Sequence, residues 1–306
     1  MNTKRFLSLI ISFGMLITMT MSITASATNN GPDIPTEPPA YSVTINEYDV
    51  YVQARKLSDK ELSSQGMSDT YIDLIKSNAI EDRLLEIASL PANELSEMGY
   101  TSKQITLLKN YNGGPIENTP QLRGTFADMT AKFYKEVASS VTLKIRVYWE
   151  WSNAPLLAGD LINDMVAIRW KGTNSAGNSI NLAFYSTTSS ASVNYYIRSG
   201  PYQCTKTVPI VCDSPYDHAY AKVPMSLDGH NYAKSGNFYL QIMRTGTDYI
   251  KEAAFVFGYG HTVVLSSPSI SLPPSFGIGF SFGTETMVEK AIRMSNTGII
   301  TEYPSA

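Results

Sequence analysis

Cysteine is nearly absent from this chain. Only Cys204 and Cys212 occur, which leaves no paired CxxC zinc or redox motif and no multi-disulfide framework. Histidine is almost as scarce, so any imidazole chemistry must use His218, His230 or His261. Charged residues make up 17% of the sequence, the net charge is −3 and no basic cluster occurs, which removes the concentrated positive face that nucleic-acid binding needs. There is no GxSxG elbow, no HExxH, no Walker loop and no dinucleotide GxGxxG, so the familiar hydrolase, metalloprotease and nucleotide-binding classes lose their signatures. Beyond the first residues no apolar run reaches the roughly 18 residues of a membrane span. No cofactor motif is present and none is expected.

What is present begins with an export signal. Lys4 and Arg5 precede an apolar stretch from Phe6 to Ile23, and Ala25-Ser26-Ala27 supplies the small-x-small pattern read by signal peptidase. Residues 1–27 therefore read as a signal peptide cleaved after Ala27, with an uncleaved anchor as the alternative, and the mature chain is expected to be secreted and extracellular. Leu272-Pro273-Pro274-Ser275 is not an LPxTG sorting signal. In an oxidising exterior, Cys204 and Cys212 are expected to form a local disulfide, with free thiols or an intermolecular bridge as alternatives.

Residues 28–40 hold four prolines among Asn, Gly, Asp and Glu and read as a flexible, disordered leader. Residues 41–112 read as a helical repeat region. Leu57, Glu61, Leu62, Ser63 and Gly66 recur as Leu90, Glu94, Leu95, Ser96 and Gly99, and Ile72, Leu74 and Lys76 recur as Ile105, Leu107 and Lys109, all displaced by 33 positions. Each unit reads as helix, glycine stop, helix, with Ser68 and Thr101 as caps, and residues 81–89 as a third, bridging helix. Asn110 to Pro120 is a turn-rich break.

From 113 to 306 the periodicity changes to two. Val141, Leu143, Ile145, Val147, Trp149 and Trp151 alternate with Thr142, Lys144, Arg146, Tyr148 and Glu150, which predicts a long strand with one buried face. Further strands are predicted at 165–170, 180–185, 193–198, 218–223, 238–244, 250–257, 262–265 and 276–282. The expected fold class is α+β: a small N-terminal helical region of two helix-stop-helix units followed by an antiparallel β-sandwich or jelly-roll-like domain.

Asp213, Asp217, His218, Asp228 and His230 cluster in sequence and, with His261, form the candidate ligand-binding set. Carboxylates and imidazoles can hold a divalent cation, or a histidine oriented by a carboxylate can act as a general base, but the spacing matches no standard ligand pattern. Gly258-Tyr259-Gly260-His261 reads as a hairpin turn. Trp149 and Trp151 fall on the core face of their strand, whereas Tyr148, Tyr196 and Tyr202 are the tyrosines expected to be exposed. Alternation of Phe276, Ile278, Phe280 and Phe282 with Gly277, Gly279, Ser281 and Gly283 also fits a pore-forming strand, although half-buried sheet strands alternate in the same way.

The string Trp149-Glu150-Trp151-Ser152-Asn153-Ala154-Pro155, the later Val166-Ala167-Ile168-Arg169-Trp170 and the tail from Tyr259-Gly260-His261 to Phe282 resemble secreted proteins of Bacillus- and Clostridium-like Gram-positive bacteria that have no known activity. The resemblance implies secretion and a β-rich fold, and transfers no site. The expected function is a non-enzymatic extracellular module contacting a cell-surface, carbohydrate or protein partner, with no nucleic acid and no stable membrane span. An exported hydrolase using the His218/His230 region and a membrane-active or pore-forming β protein are the alternatives.

Overall fold

The structure, a computed structural model, describes residues 31–64, 69–156, 163–197, 200–260 and 286–302. The signal segment with Ala27, the stop Gly66, the cap Ser68, His261 and the predicted strands at 262–265 and 276–282 lie outside them.

The chain enters through β1 (Tyr41–Asn46) and then runs through six helices, α1 (Glu47–Lys56), α2 (Asp59–Ser64), α3 (Asp69–Lys76), α4 (Ala79–Ser89), α5 (Ala92–Glu97) and α6 (Ser102–Lys109). Two long strands follow, β2 (Asp128–Ala138) and β3 (Thr142–Trp151), then β4 (Asn163–Thr173) and the short β5 (Ser179–Ile180) and β6 (Leu182–Phe184). Next come β7 (Ser190–Ile197), β8 (Tyr202–Val208), β9 (Ile210–Ser214), β10 (His218–Pro224) and β11 (Asn231–Arg244). The chain closes with β12 (Glu252–Gly260), β13 (Thr286–Ser295) and β14 (Ile300–Glu302).

Among the described residues the strands form two seven-stranded sheets. The first has the order β1-β2-β3-β11-β7-β8 with β6 on β11, and the second β14-β13-β12-β4-β10-β9 with β5 on β4. Every pairing is antiparallel. The core lies between the sheets. Leu143, Ile145, Val147, Trp149 and Trp151 of β3 meet Val166, Ile168 and Trp170 of β4 and Phe255, Phe257 and Tyr259 of β12 there, as the period-two alternation requires. The expected α+β class with an antiparallel sandwich is the one observed, and both tryptophans of β3 are buried.

The helices build a second core of their own, which includes Tyr51, Leu62, Ile75, Leu84, Leu95 and Leu108 and runs on through Ile116, Leu122, Phe126 and Leu156. The boundary read after residue 112 thus falls inside this cluster, because Ile116 and Phe126 turn back under α1. Residues 41–46, assigned to the helical region from sequence, form β1 and pair with β2 in the first sheet.

The 33-residue repeat is structural and larger than its sequence signal. Helices α4, α5 and α6 follow α1, α2 and α3 at that displacement, so α4 is the counterpart of α1 and not a bridge between units. Buried positions match: Tyr51 with Leu84, Ala54 with Ile87, Leu62 with Leu95, Ile75 with Leu108. A lysine at the end of each unit closes it in the same way. Lys76 Nζ donates to the carbonyls of Arg55 and Leu57, and Lys109 Nζ to those of Ala88 and Leu90, so each ammonium satisfies the orphan C=O groups at a helix end.

Gly99 stops α5 with φ +94°, and the Tyr100 N–H reaches back to the Leu95 carbonyl at 3.0 Å, the six-to-one bond of a Schellman stop. Thr101 then caps α6 in a capping box with Gln104. A Cβ at Gly99 would meet nothing closer than Asn153 Oδ1 at 3.9 Å, so the cost of a side chain is conformational and not steric crowding. Gly99→Val is expected to destabilise by about 1–2 kcal/mol, the penalty of a left-handed non-glycine residue. A thermal melt indistinguishable from the parent would contradict that.

Candidate functional site

The structure brings three of the six candidate residues together. His218 opens β10 opposite Arg169 of β4, and both side chains point away from the sandwich core because their neighbours Ala219, Ile168 and Trp170 fill it. A register shift between His218 and Tyr220 lets β9 turn Asp213 towards the ring. His218 Nε2 lies 2.7 Å from Asp213 Oδ1, and Nδ1 lies 3.0 Å from Asp217 Oδ2. Asp217 Oδ1 in turn accepts from Arg169 Nη2 at 2.7 Å. The result is a chain of polar groups, carboxylate, imidazole, carboxylate, guanidinium, with the imidazole stacked on Tyr220.

Burial alone would push the Asp217 carboxyl up, but the hydrogen bonds from His218 and Arg169 overcome it and hold the group below the usual aspartate range. His218 is buried, and its two ring nitrogens face the carboxylates of the exposed Asp213 and the half-buried Asp217. This arrangement joins β9, β10 and β4 at one end of the second sheet. It engages both ring nitrogens with carboxylates.

Asp228 and His230 are elsewhere. They sit in the turn after β10, where Asp228 Oδ1 accepts from the N–H groups of His230 and Asn231, a local Asx turn. At about 3.3 Å per strand residue, the length of β10 sets them on the order of 20 Å from His218. Among the described residues no three His, Cys, Asp or Glu side chains assemble as a metal-ligand group. Gly258 to Gly260 is not a hairpin turn: the three residues lie within β12, paired to β4 and β13, and Tyr259 is buried in the core. Hydrophobic packing of the tyrosine decides the local conformation over the turn propensity of its flanking glycines.

The expected disulfide is not formed. Cys204 and Cys212 are free thiols, because the chain changes sheets at Pro209 and places them on β8 of the first sheet and β9 of the second. Cys212 Sγ donates instead to the His218 carbonyl at 3.4 Å, and burial pushes its thiol up to about 11.

Sequence reasoning missed a second polar constellation, on the outer face of the first sheet. The side chains that alternate with the core residues of β2, β3, β11 and β7 line up in rows across the strands: Tyr134–Arg146–Tyr239 and Lys132–Tyr148–Asn237 are successive register partners. Arg146 lies over the rings of Tyr134 and Tyr239 at 5.9 and 5.1 Å, and its Nε donates to Asn237 Oδ1 at 2.7 Å. Lys132 lies over Tyr148 and bonds Glu150. Further along, Lys234 lies 4.9 Å over the Tyr196 ring, which meets Tyr202 edge-on at 5.6 Å. Tyr196 and Tyr202 are half-buried, whereas Tyr148, expected to be exposed, is buried beneath its neighbours and has its hydroxyl pKa raised by that burial.

Residues 31–40, expected as a flexible leader, lie against this face. Asp33 is bound by Arg146, Asn237 and Tyr239, and the Ala40 N–H donates to the Phe133 carbonyl. Composition alone pointed to disorder; partners far along the chain supply the order.

No family model matches the sequence, and no curated protein does. Among solved structures the chain is similar to a collagen-binding domain from a Staphylococcus aureus adhesin, at 8% identity over 52% of this chain and 95% of that one, with a TM-score of 0.26. It is also similar to the collagen-binding subdomain of the Enterococcus faecalis surface protein ACE (8% identity, 53% of this chain, 92% of that one, TM-score 0.24). Clostridium perfringens delta-toxin is a third (9% identity, 58% of this chain, 88% of that one, TM-score 0.25). Similarity at this level transfers neither a partner nor an activity.

Proposed function

We propose that the protein is a non-enzymatic binding module of the cell exterior, exported through its N-terminal signal segment, and that it contacts a cell-surface, carbohydrate or protein partner through the outer face of the first sheet. The observation that carries this reading is the Tyr196, Tyr202 and Lys234 cluster at the β7–β8 edge of that face. Tyrosine presents a large apolar ring with a polar tip at low entropy cost, and a cation seated on it adds polar recognition, a combination favoured where surfaces meet. The alternative centre, His218, is buried with both ring nitrogens engaged by carboxylates, which favours a structural role for it. Among the described residues no helix is long and apolar enough to cross a membrane.

The test is a biosensor titration of the immobilised protein with soluble extracellular-matrix proteins and cell-wall glycan fragments, run on the parent and on two variants. Saturable binding is expected to fall at least tenfold in Tyr196→Ala/Lys234→Ala and to persist in His218→Gln. Turnover of model ester, peptide or glycoside substrates that disappears in His218→Gln would overturn the reading in favour of a hydrolase.

A further inference from the structure

The outer face already holds a polypeptide segment, and the way it does so is specific. Arg146 Nη2 donates to Asp33 Oδ1 at 2.8 Å and to the Asp33 main-chain carbonyl at 3.2 Å. Asn237 Nδ2 donates to that same carbonyl at 2.8 Å and to Oδ2 at 3.3 Å, and the Tyr239 hydroxyl donates to Oδ2 at 3.0 Å. One residue is thus read through both its side-chain carboxylate and its own backbone carbonyl. Asparagine would offer a single side-chain acceptor with no charge, and glutamate would place its carboxylate one methylene too far from the carbonyl.

Host and guest differ in how firmly they are held. Arg146 and Asn237 stand on two long paired strands, and the guanidinium is fixed between two tyrosine rings and by its bond to Asn237. The site is therefore preorganised, which lowers the entropy cost of filling it. The guest is mostly exposed: Asp33 keeps 52% of its side-chain surface and Ile34 46% of its residue surface in water. A segment with few buried apolar contacts belongs to the low end of local stability and opens without the rest of the fold.

We propose that Arg146, Asn237 and Tyr239 form a recognition site for an aspartyl residue in a polypeptide segment, filled in cis by residues 31–40 and open in trans to an acidic segment of a partner protein when those residues lift off. The proposal rests on the outer face being the binding surface and adds the ligand's chemistry and a built-in competitor. Because a tethered segment acts at an effective concentration on the order of millimolar, it masks the site from ligands in trans.

The probe is a blocked synthetic peptide of residues 31–40, with the same peptide carrying Asp33→Asn as control. In full-length protein bearing Asp33→Ala, the cis ligand loses its carboxylate, and the labelled peptide is expected to bind at least tenfold more tightly than to the parent. The control peptide should bind at least tenfold more weakly than the native one, and adding Tyr239→Phe to the protein should weaken the native peptide several-fold. A second measurement needs no variant: excess peptide should speed amide exchange of residues 31–40 in the parent protein, in proportion to peptide added. No peptide-dependent exchange in the parent, or equal binding of the native and control peptides, overturns the proposal. Either failure leaves the Tyr196/Lys234 titration untouched, so loss of the ligand assignment and loss of the binding face are told apart.

Discussion

Arg55→Met is expected to produce the largest loss of stability of any single substitution in the helical region. Arg55 forms a two-pronged bond with Glu81, at 2.5 and 2.7 Å, and also reaches Glu117 and the carbonyls of Ile75 and Ser77. It thereby joins α1, the end of α3, the start of α4 and the turn before β2. Glu81 is buried, and removing one partner of a buried ion pair leaves the other desolvated, at a cost of about 3–5 kcal/mol. At roughly 2–4 °C per kcal/mol for a chain of this size, the melting midpoint should fall by on the order of 10 °C. Burial pushes the Glu81 carboxyl up, but the Arg55 bonds and the Ile116 N–H more than offset it and hold the group below its ordinary range. A carboxyl depressed in the folded state contributes stability above its unfolded pKa and loses that contribution as pH falls through the folded value. In Arg55→Met the same carboxyl stays buried without its cation, so the gap between variant and parent should be full at neutral pH and should narrow as pH falls and the variant's Glu81 takes up a proton before the parent's does. The double substitution Arg55→Met/Glu81→Leu should recover part of the loss, because an apolar pair leaves no charge stranded. Melts of the single variant within a degree of the parent would show that the network contributes nothing.

Tyr259→Phe is expected to cost about 3 kcal/mol through two hydrogen bonds alone. The Tyr259 hydroxyl accepts from Trp151 Nε1 at 3.1 Å and donates to Asp164 Oδ2 at 2.5 Å, bridging β3 of one sheet to β4 and β12 of the other. Burial, and then the Asp164 carboxylate, raise the pKa of this hydroxyl well above its ordinary value, so it remains a donor at any pH the fold survives. Phenylalanine preserves the edge-on contacts with Trp149 and Trp151, at 5.3 and 5.7 Å, and deletes only the oxygen. A urea titration should therefore show a lower midpoint with an unchanged slope. An unchanged midpoint would mean that the buried bridge is replaceable by packing.

The sandwich was legible wherever one face of a strand is apolar and the other polar, and β3 is the clearest case. It was illegible in β2, where Tyr134 on the outer face is as buried as a core residue and blurs the alternation, and in β8, whose Thr and Gln positions carry no apolar signal. The repeat was visible through its glycines, lysines and leucines. The equivalence of α4 to α1 was hidden because burial is shared between Tyr51 and Leu84, and between Ala54 and Ile87, while residue identity is not. For the candidate site, sequence proximity found Asp213, Asp217 and His218 but could not supply Arg169, which the β4–β10 register brings across from another strand. Asp33 was beyond reach for the same reason, since its partners at 146, 237 and 239 become neighbours only when β3 and β11 pair.

The join between the two cores bears on the order in which this protein assembles. Asn46 and Asp128 are register partners at one end of the β1–β2 pair, the Glu47 N–H bonds the Ala127 carbonyl, and everything from 47 to 127 hangs between them. For an unstructured loop of that length, β1 would have to search a large volume to find β2, and slow strand search is what limits β-rich topologies. Helices α1 to α6 make mostly local contacts and can condense first. Once they do, the packing of Tyr48 and Tyr51 against Phe126 brings the loop's two ends into contact, and the long search collapses into the closure of a tight hairpin. The helical module then acts as an intramolecular folding jig for the first sheet, and lesions in it should slow the arrival of β1 even though α1 reaches the sandwich core only through Val50.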